Sequence, residues 1–313
     1  MSSDPFESVD QIAALFPGQG AQAPGMGRWL CESTPEAGEL FAEASEVLGY
    51  HLRTLCTDGT AEKLNETVHS QPALFVTGLA AARAWEKRFP DQAAKVKCTA
   101  GLSLGEVTAV CFAGGLSFVD GLKVVKARGE AMQACADAVD SGMASVIGLD
   151  LATLQSVCEQ AREGAEVLLP ANLLCPGNIA VSGHRDALQR LDEAATKAGA
   201  MKVIPLSVAG AFHTSLMQEA VEKLSEALRS VDLQDCRLPV YSNVDARPHT
   251  SAEEIRDLLA RQVVNPVRWE DSVRTMMDDG VGGFVELGTG KVLRGTIKRI
   301  ARRAPTDGFG DGE

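Results

Sequence analysis

Val96-Lys97-Cys98-Thr99-Ala100-Gly101-Leu102-Ser103-Leu104-Gly105-Glu106-Val107-Thr108-Ala109-Val110-Cys111-Phe112 is the stretch on which the reading of this chain turns. Residues 96–101 predict a short strand, and residues 105–112 place apolar side chains at helical spacing. Between them residues 101–105 spell Gly-x-Ser-x-Gly, the pattern of a strand–turn–helix elbow with a nucleophilic serine at its tip. Small residues flank such a serine because the turn is strained and tightly packed. The hydroxyl is then left at a helix N-terminus, where backbone N–H groups can face a developing oxyanion. A plainer role fits the same residues, since serine before a helix is also a common cap.

Upstream, the apolar run Ile12 to Phe16 stops at Pro17-Gly18-Gln19-Gly20, a buried strand feeding a tight loop. Residues 35–48 and 71–89 predict helices before the elbow. A further helix over 117–135 lines up Phe118, Leu122, Val125 and Met132. From about 142 to 207 the rhythm changes to strand 143–149, helix 151–162, strands 166–172 and 179–182, helix 186–198 and strand 201–205. That β-α-β-β-α-β order is the split ferredoxin-like unit, able to close a small core of its own. The chain then returns to a helix at 214–228, a strand at 238–243, two helices, a strand at 283–287 and a last helix from Lys291. The economical fold class is α/β. A large discontinuous domain over 11–140 and 208–304 receives a small ferredoxin-like domain at 141–207, and a Gly/Asp-rich flexible tail follows at 305–313.

Composition narrows the function classes. In 313 residues, 45% hydrophobic, there is material for a large core and a smaller one. Thirty basic residues against forty-two acidic ones give a net charge of −12, with no Lys/Arg block that could track a phosphate backbone, so nucleic acid is not an expected partner. The first ten residues lack the basic flank and apolar core of a signal peptide, and no apolar run is long enough to span a bilayer. A cytoplasmic protein without a membrane partner is the expectation. The eight cysteines stand singly, without zinc-site spacing, and read as reduced, mostly buried thiols; no metal site is expected.

A serine hydroxyl needs a base at neutral pH, and histidine is the usual one. Of the five histidines, His51 and His69 fall on or beside surface-like helical stretches, His184 begins a helix and His249 sits in a polar turn. His213 follows the small and apolar residues Val208-Ala209-Gly210-Ala211-Phe212 at the start of the next helix; a packed or capping histidine fits that place as well as a base does. The glycine loop 17–20 leaves N–H groups free for an oxyanion, or is a simple turn. Arg128, read without context, is a solvated charge on a helix. Gly288-Thr289-Gly290-Lys291 is similar to the end of a phosphate loop, but Val285 and Val292 occupy the positions that need glycine and Ser/Thr, which rules the motif out.

Taken together and in order, Phe16-Pro17-Gly18-Gln19-Gly20, Gly101-Leu102-Ser103-Leu104-Gly105-Glu106, Arg128-Gly129, Gly142-Met143-Ala144, Ser207 to His213, Gln262, Asn265-Pro266-Val267 and Phe284-Val285-Glu286-Leu287-Gly288 resemble the malonyl-CoA:acyl-carrier-protein transacylase family. The likeness runs from about Ile12 to Ala301. It implies a hydrolase-like parallel-sheet domain with the ferredoxin-like insert, and a ping-pong transfer of malonyl from malonyl-CoA to the phosphopantetheine thiol of acyl carrier protein, in fatty acid or polyketide synthesis. Ser103 would be the nucleophile, His213 the base, and Gln19 and Leu104 the donors of oxyanion N–H groups. Gln262 would orient the histidine through its backbone carbonyl, and Arg128 would hold the malonyl carboxylate. No cofactor and a monomer are the expectations, although nothing in the sequence fixes the oligomeric state. Lys298, Arg299, Arg302 and Arg303 form the densest basic cluster, a candidate docking patch for an acidic carrier. One departure stands out: the family usually has histidine before the elbow serine, where this chain has Leu102. A serine thioesterase or esterase shares the elbow, and a non-catalytic carrier-binding relative would fit the loss of that histidine; these are the competing readings.

Overall fold

A computed structural model describes residues 4–311. Among these residues ten strands run in chain order: β1 (Ile12–Phe16), β2 (Val96–Gly101), β3 (Ser141–Ile147), β4 (Leu168–Cys175), β5 (Asn178–His184), β6 (Lys202–Pro205), β7 (Val240–Tyr241), β8 (Pro248–His249), β9 (Gly283–Leu287) and β10 (Thr306–Phe309). They form two sheets, one of six strands in the order β10-β9-β1-β2-β7-β8 and one of four in the order β4-β5-β3-β6.

In the larger sheet every pair from β10 to β7 is parallel, and only β8 runs against its neighbour. The central strands β1 and β9 are buried along their whole length, as their unbroken apolar runs require when helices cover both faces. One face carries the helices Thr67–Arg88, Leu104–Phe112 and Phe118–Ala138 around Phe16, Phe41, Phe75 and Leu122. A second cluster gathers Leu15, Ala100, Leu102 and Phe284 with Trp269, Val273 and Ile297 of the helices Trp269–Asp278 and Val292–Ile300. Glu286, buried on β9, caps the last of these, its Oε1 accepting from the Leu293 N–H and its Oε2 from the Arg294 N–H, both at 3.0 Å. The eight cysteines are free thiols, six of them buried.

The four-stranded sheet is antiparallel throughout, with the helices Leu151–Ala161 and Arg185–Lys197 packed on it around Val146, Leu154, Val181 and Leu191. Strand order and connection match the expected βαββαβ unit, with element ends shifted by up to three residues. Pro170 is tolerated because β4 lies at the sheet edge. The open edge of β4 bonds Val267: Val267 N–H reaches the Ala171 carbonyl at 2.7 Å and Leu173 N–H reaches the Val267 carbonyl at 2.9 Å. This ties the small sheet to the large one beside the loop that ends helix Ala252–Gln262.

The C-terminal reading needs correction. Residues 306–309, expected to belong to a flexible tail, form the edge strand β10 on β9, and Phe309 packs edge-on against Trp29 and Phe89 at 5.2 and 6.0 Å between ring centroids. Asp311 then accepts from Thr289 Oγ1 at 2.6 Å and from Gly290 N–H at 2.7 Å. Composition suggested disorder, but four backbone pairs and one aromatic anchor suffice to hold the segment. The Gly288–Gly290 loop is thus occupied by a carboxylate of the chain itself. Among the described residues no helix is long and apolar enough to cross a membrane.

Candidate active site

Parallel pairing of β1 with β2 sets Phe16 beside Gly101, so the loop after β1 and the elbow after β2 leave the sheet side by side at the carboxyl ends of the strands. The elbow is tight. A Cβ on Gly105 would stand 2.1 Å from the Phe16 carbonyl oxygen, and one on Gly18 would stand 2.3 Å from the Leu102 carbonyl oxygen, so both positions require glycine. Ser103 is held at φ 53°, ψ −104°, outside the regions a side chain prefers. Its N–H donates to Asn243 Oδ1 at 2.7 Å while Asn243 Nδ2 donates to the Gly101 carbonyl at 2.8 Å, so one amide pins both sides of the turn. Leu102 turns away into the apolar cluster under the sheet and is 6% exposed.

Among the described residues only three other than glycine have positive φ, and two of them are Ser103 and His213. His213, at φ 63°, is fixed by its own N–H on the Val263 carbonyl. Its Nε2 lies 2.8 Å from Ser103 Oγ and its Nδ1 lies 2.9 Å from the Gln262 carbonyl. A carbonyl accepts only, so Nδ1 carries the proton and Nε2 offers its lone pair to the serine hydroxyl. Burial, with repulsion from Arg128 as a second cause, lowers the His213 pKa to about 4. The ring is therefore neutral at pH 7, as a base must be.

Arg128 is no surface charge. It is 1% exposed in the middle of helix Phe118–Ala138, and its Nη2 donates to Ser103 Oγ and to Gln262 Oε1, each at 2.9 Å. Nη1 donates to Gln71 Oε1 at 2.8 Å, and Nε is buried without a partner. Gln71 in turn donates to Gln19 Oε1 at 3.2 Å, which ties the guanidinium to the glycine loop. Burial lowers the Arg128 pKa to about 10, partly offset by Glu106, so the group keeps its charge at neutral pH. Neither the Gln19 nor the Leu104 N–H has a hydrogen-bond partner among the described residues, which leaves both available at the elbow.

Three residues of the assembly were not singled out for a role from the sequence: Gln71, Asn243 and Glu106. Glu106, 2% exposed, accepts through Oε2 from Gln262 Nε2 at 2.6 Å and from Asn243 N–H at 3.0 Å; Gln262 Nε2 also reaches the Ser103 carbonyl at 3.0 Å. Burial pushes its carboxyl up to about 7 against the pull of these donors and of Arg128. A carboxylate within the mostly apolar run Leu104 to Phe112, and a glutamine opening the apolar helical stretch expected over 71–89, were the signals available. The other histidines are engaged elsewhere or lie apart: His69 against Glu66 and Tyr50, His184 on the Val167 N–H, His249 between Asp245 and Glu254, and His51 exposed at a helix start. Among the described residues no three His, Cys, Asp or Glu side chains converge as a metal site.

Comparison with known proteins shows which family the chain belongs to. The model of the acyl transferase domain family matches residues 14–305. The malonyl CoA-acyl carrier protein transacylase of Bacillus subtilis is 41% identical over 305 residues, 97% of this chain and 95% of that protein. The solved structure of the Coxiella burnetii malonyl CoA-acyl carrier protein transacylase superposes with a TM-score of 0.91 at 35% identity, covering 96% of this chain and 94% of that one. A solved complex of a type II PKS acyl-carrier protein with its malonyl-transacylase gives 0.89 at 36% identity, over 95% and 94% of the two chains. An elbow serine bonded to both an imidazole and a buried guanidinium thus stands in a fold shared nearly end to end with these enzymes, and the chain belongs to the acyl transferase domain family, among its malonyl CoA-acyl carrier protein transacylases.

Proposed function

We propose that this chain transfers malonyl from malonyl-CoA to the phosphopantetheine thiol of an acyl carrier protein, by way of an ester on Ser103. The observation that carries the reading is the double contact of Ser103 Oγ, with His213 Nε2 at 2.8 Å and Arg128 Nη2 at 2.9 Å. The imidazole supplies a base. A buried guanidinium beside the nucleophile supplies a reason for the acyl group to carry a carboxylate, which it can grip with fixed parallel donors and without losing its charge.

In the first half-reaction His213 Nε2 takes the Ser103 proton as Oγ attacks the thioester carbon. The Gln19 and Leu104 N–H groups hold the oxyanion. Collapse breaks the C–S bond, and the departing sulfur takes the proton from His213 to leave as coenzyme A. Through this step the Arg128 Nη2 hydrogen that otherwise reaches Oγ turns to the malonyl carboxylate. The carrier thiol then gives its proton to His213 and attacks the ester; Ser103 leaves and recovers the proton. The Gln262 carbonyl on Nδ1 keeps the ring in one tautomer and stands where many serine hydrolases place a carboxylate. For the carrier, the exposed Lys298, Arg299, Arg302 and Arg303 at the end of the last helix offer charge complementary to an acidic partner.

Isolated acyl-enzyme separates this reading from hydrolysis. Malonyl should pass to holo carrier protein far faster than to water, and ester that turns over equally fast without carrier would identify a thioesterase instead.

A further inference from the structure

Arg128 is the only charged group acting on Glu106 among the described residues; the other groups that face the carboxyl are the Asn243 N–H, the Gln262 amide and the Ser242 hydroxyl. The two ions do not touch. Gln262 stands between them, Oε1 toward the guanidinium and Nε2 toward the carboxylate, so the buried network is one cation and one anion joined by a single amide. Titratable His213 lies across the Gln262 main chain and is neutral.

Acylation upsets that balance. Malonyl brings a second carboxylate to the same guanidinium, and two anions sharing one buried cation cannot both stay ionised cheaply. The incoming carboxylate contacts Arg128 directly, whereas Glu106 is one amide removed and has the weaker hold. The Asn243 N–H and the Gln262 amide both donate to Oε2, so Oε1 can carry a proton without breaking either bond; the Ser242 hydroxyl, a further donor to the ionised carboxyl, can turn to accept that proton. We propose that Glu106 is the resident counter-charge of Arg128 and takes up a proton from solvent when the malonyl ester forms on Ser103. Burial already holds this carboxyl near neutrality, which makes the uptake possible at ordinary pH. An acetyl ester adds no charge and draws no proton. The inference rests on the acyl-enzyme reading above and adds to it a pH-dependent preference for malonyl.

The test is the equilibrium between free and acylated enzyme at fixed coenzyme A, read by intact-protein mass spectrometry from pH 7 to 9 with malonyl-CoA and with acetyl-CoA. Ionisation of the released thiol affects both equally and cancels in their ratio. The malonyl-to-acetyl ratio of equilibrium constants should fall as pH rises, approaching about tenfold per pH unit for one proton. In Glu106→Gln, which still offers one acceptor oxygen to both donors, the ratio should be flat. A flat wild-type ratio overturns the proposal by itself, so an unstable Glu106→Gln protein does not shelter it; a slope that persists in a folded Glu106→Gln protein overturns it too. Absence of any ester on Ser103 would instead defeat the underlying function, a different and distinguishable result.

Discussion

Replacing Arg128 by alanine should invert the enzyme's choice of acyl group. The guanidinium is 1% exposed, fixed by Gln71 and Gln262, and already bonded to Ser103 Oγ, where the malonyl carboxylate would meet it. Stranding that carboxylate in a buried site should cost roughly 2–5 kcal/mol, about 30-fold to several thousandfold in kcat/KM for malonyl-CoA. Acetyl-CoA has no carboxylate to strand. Its slow reaction should hold or improve, because removing the cation also relieves the repulsion that helps keep His213 a weak base. Lysine should restore only part of the malonyl rate, since a point charge cannot reproduce two fixed donors. Both thioesters should be assayed with wild type, Arg128→Ala and Arg128→Lys, and folding checked by melting, because Gln71 and Gln262 lose a donor. Equal losses for malonyl and acetyl in a folded Arg128→Ala protein would show that the arginine supports the site and does not read the substrate.

Four further outcomes are expected. The acid limb of acylation should lie near pH 4 and not near 6.5, since the base works only when neutral and its pKa is depressed; a half-point above pH 6 would place the base in a wetter setting. The same depression means the unfolded chain binds that proton more readily, so the stability the neutral ring contributes above about 6.5 is lost as pH falls toward 4, visible as a falling melting temperature. Gly105→Ala should destabilise by about 1–3 kcal/mol and slow ester formation, because its methyl group meets the Phe16 carbonyl and must displace the elbow; wild-type melting and rate would contradict the packing described. Ending the chain at residue 304 should lower stability by at least about 2 kcal/mol through loss of β10 and the Phe309 ring, whereas an unchanged melt would return the segment to the status of a tail.

Much of the fold could be read from local pattern, for reasons particular residues make plain. The apolar runs at 12–16 and 283–287 are buried strands because only two-sided burial explains them, and the small sheet followed from alternating element lengths. The edge strand at 306–309 escaped that logic: one aromatic residue and a partner strand elsewhere hold it, and neither leaves a periodic trace. In the site, Ser103 was legible from Gly101 and Gly105, whose absent side chains record the crowding at the turn. Arg128 was not, because helical spacing says nothing of what lies opposite; its place in the pocket depends on Gln71 and Gln262, 57 and 134 residues away. Glu106 and Asn243 belong to the same long-range network; Glu106 ends the elbow motif, which does not show what its carboxyl meets, and Asn243 carries no motif. Leu102, where the resemblance leads one to expect histidine, has its side chain in the apolar cluster away from the hydroxyl, and the imidazole that meets the hydroxyl is that of His213.

The most direct measurement is peptide-mapping mass spectrometry of the protein mixed with malonyl-CoA alone. One malonyl group should be found on the peptide bearing Ser103, absent in Ser103→Ala and removed when holo carrier protein is added. An unmodified protein, or a malonyl adduct that persists in Ser103→Ala, would contradict the mechanism.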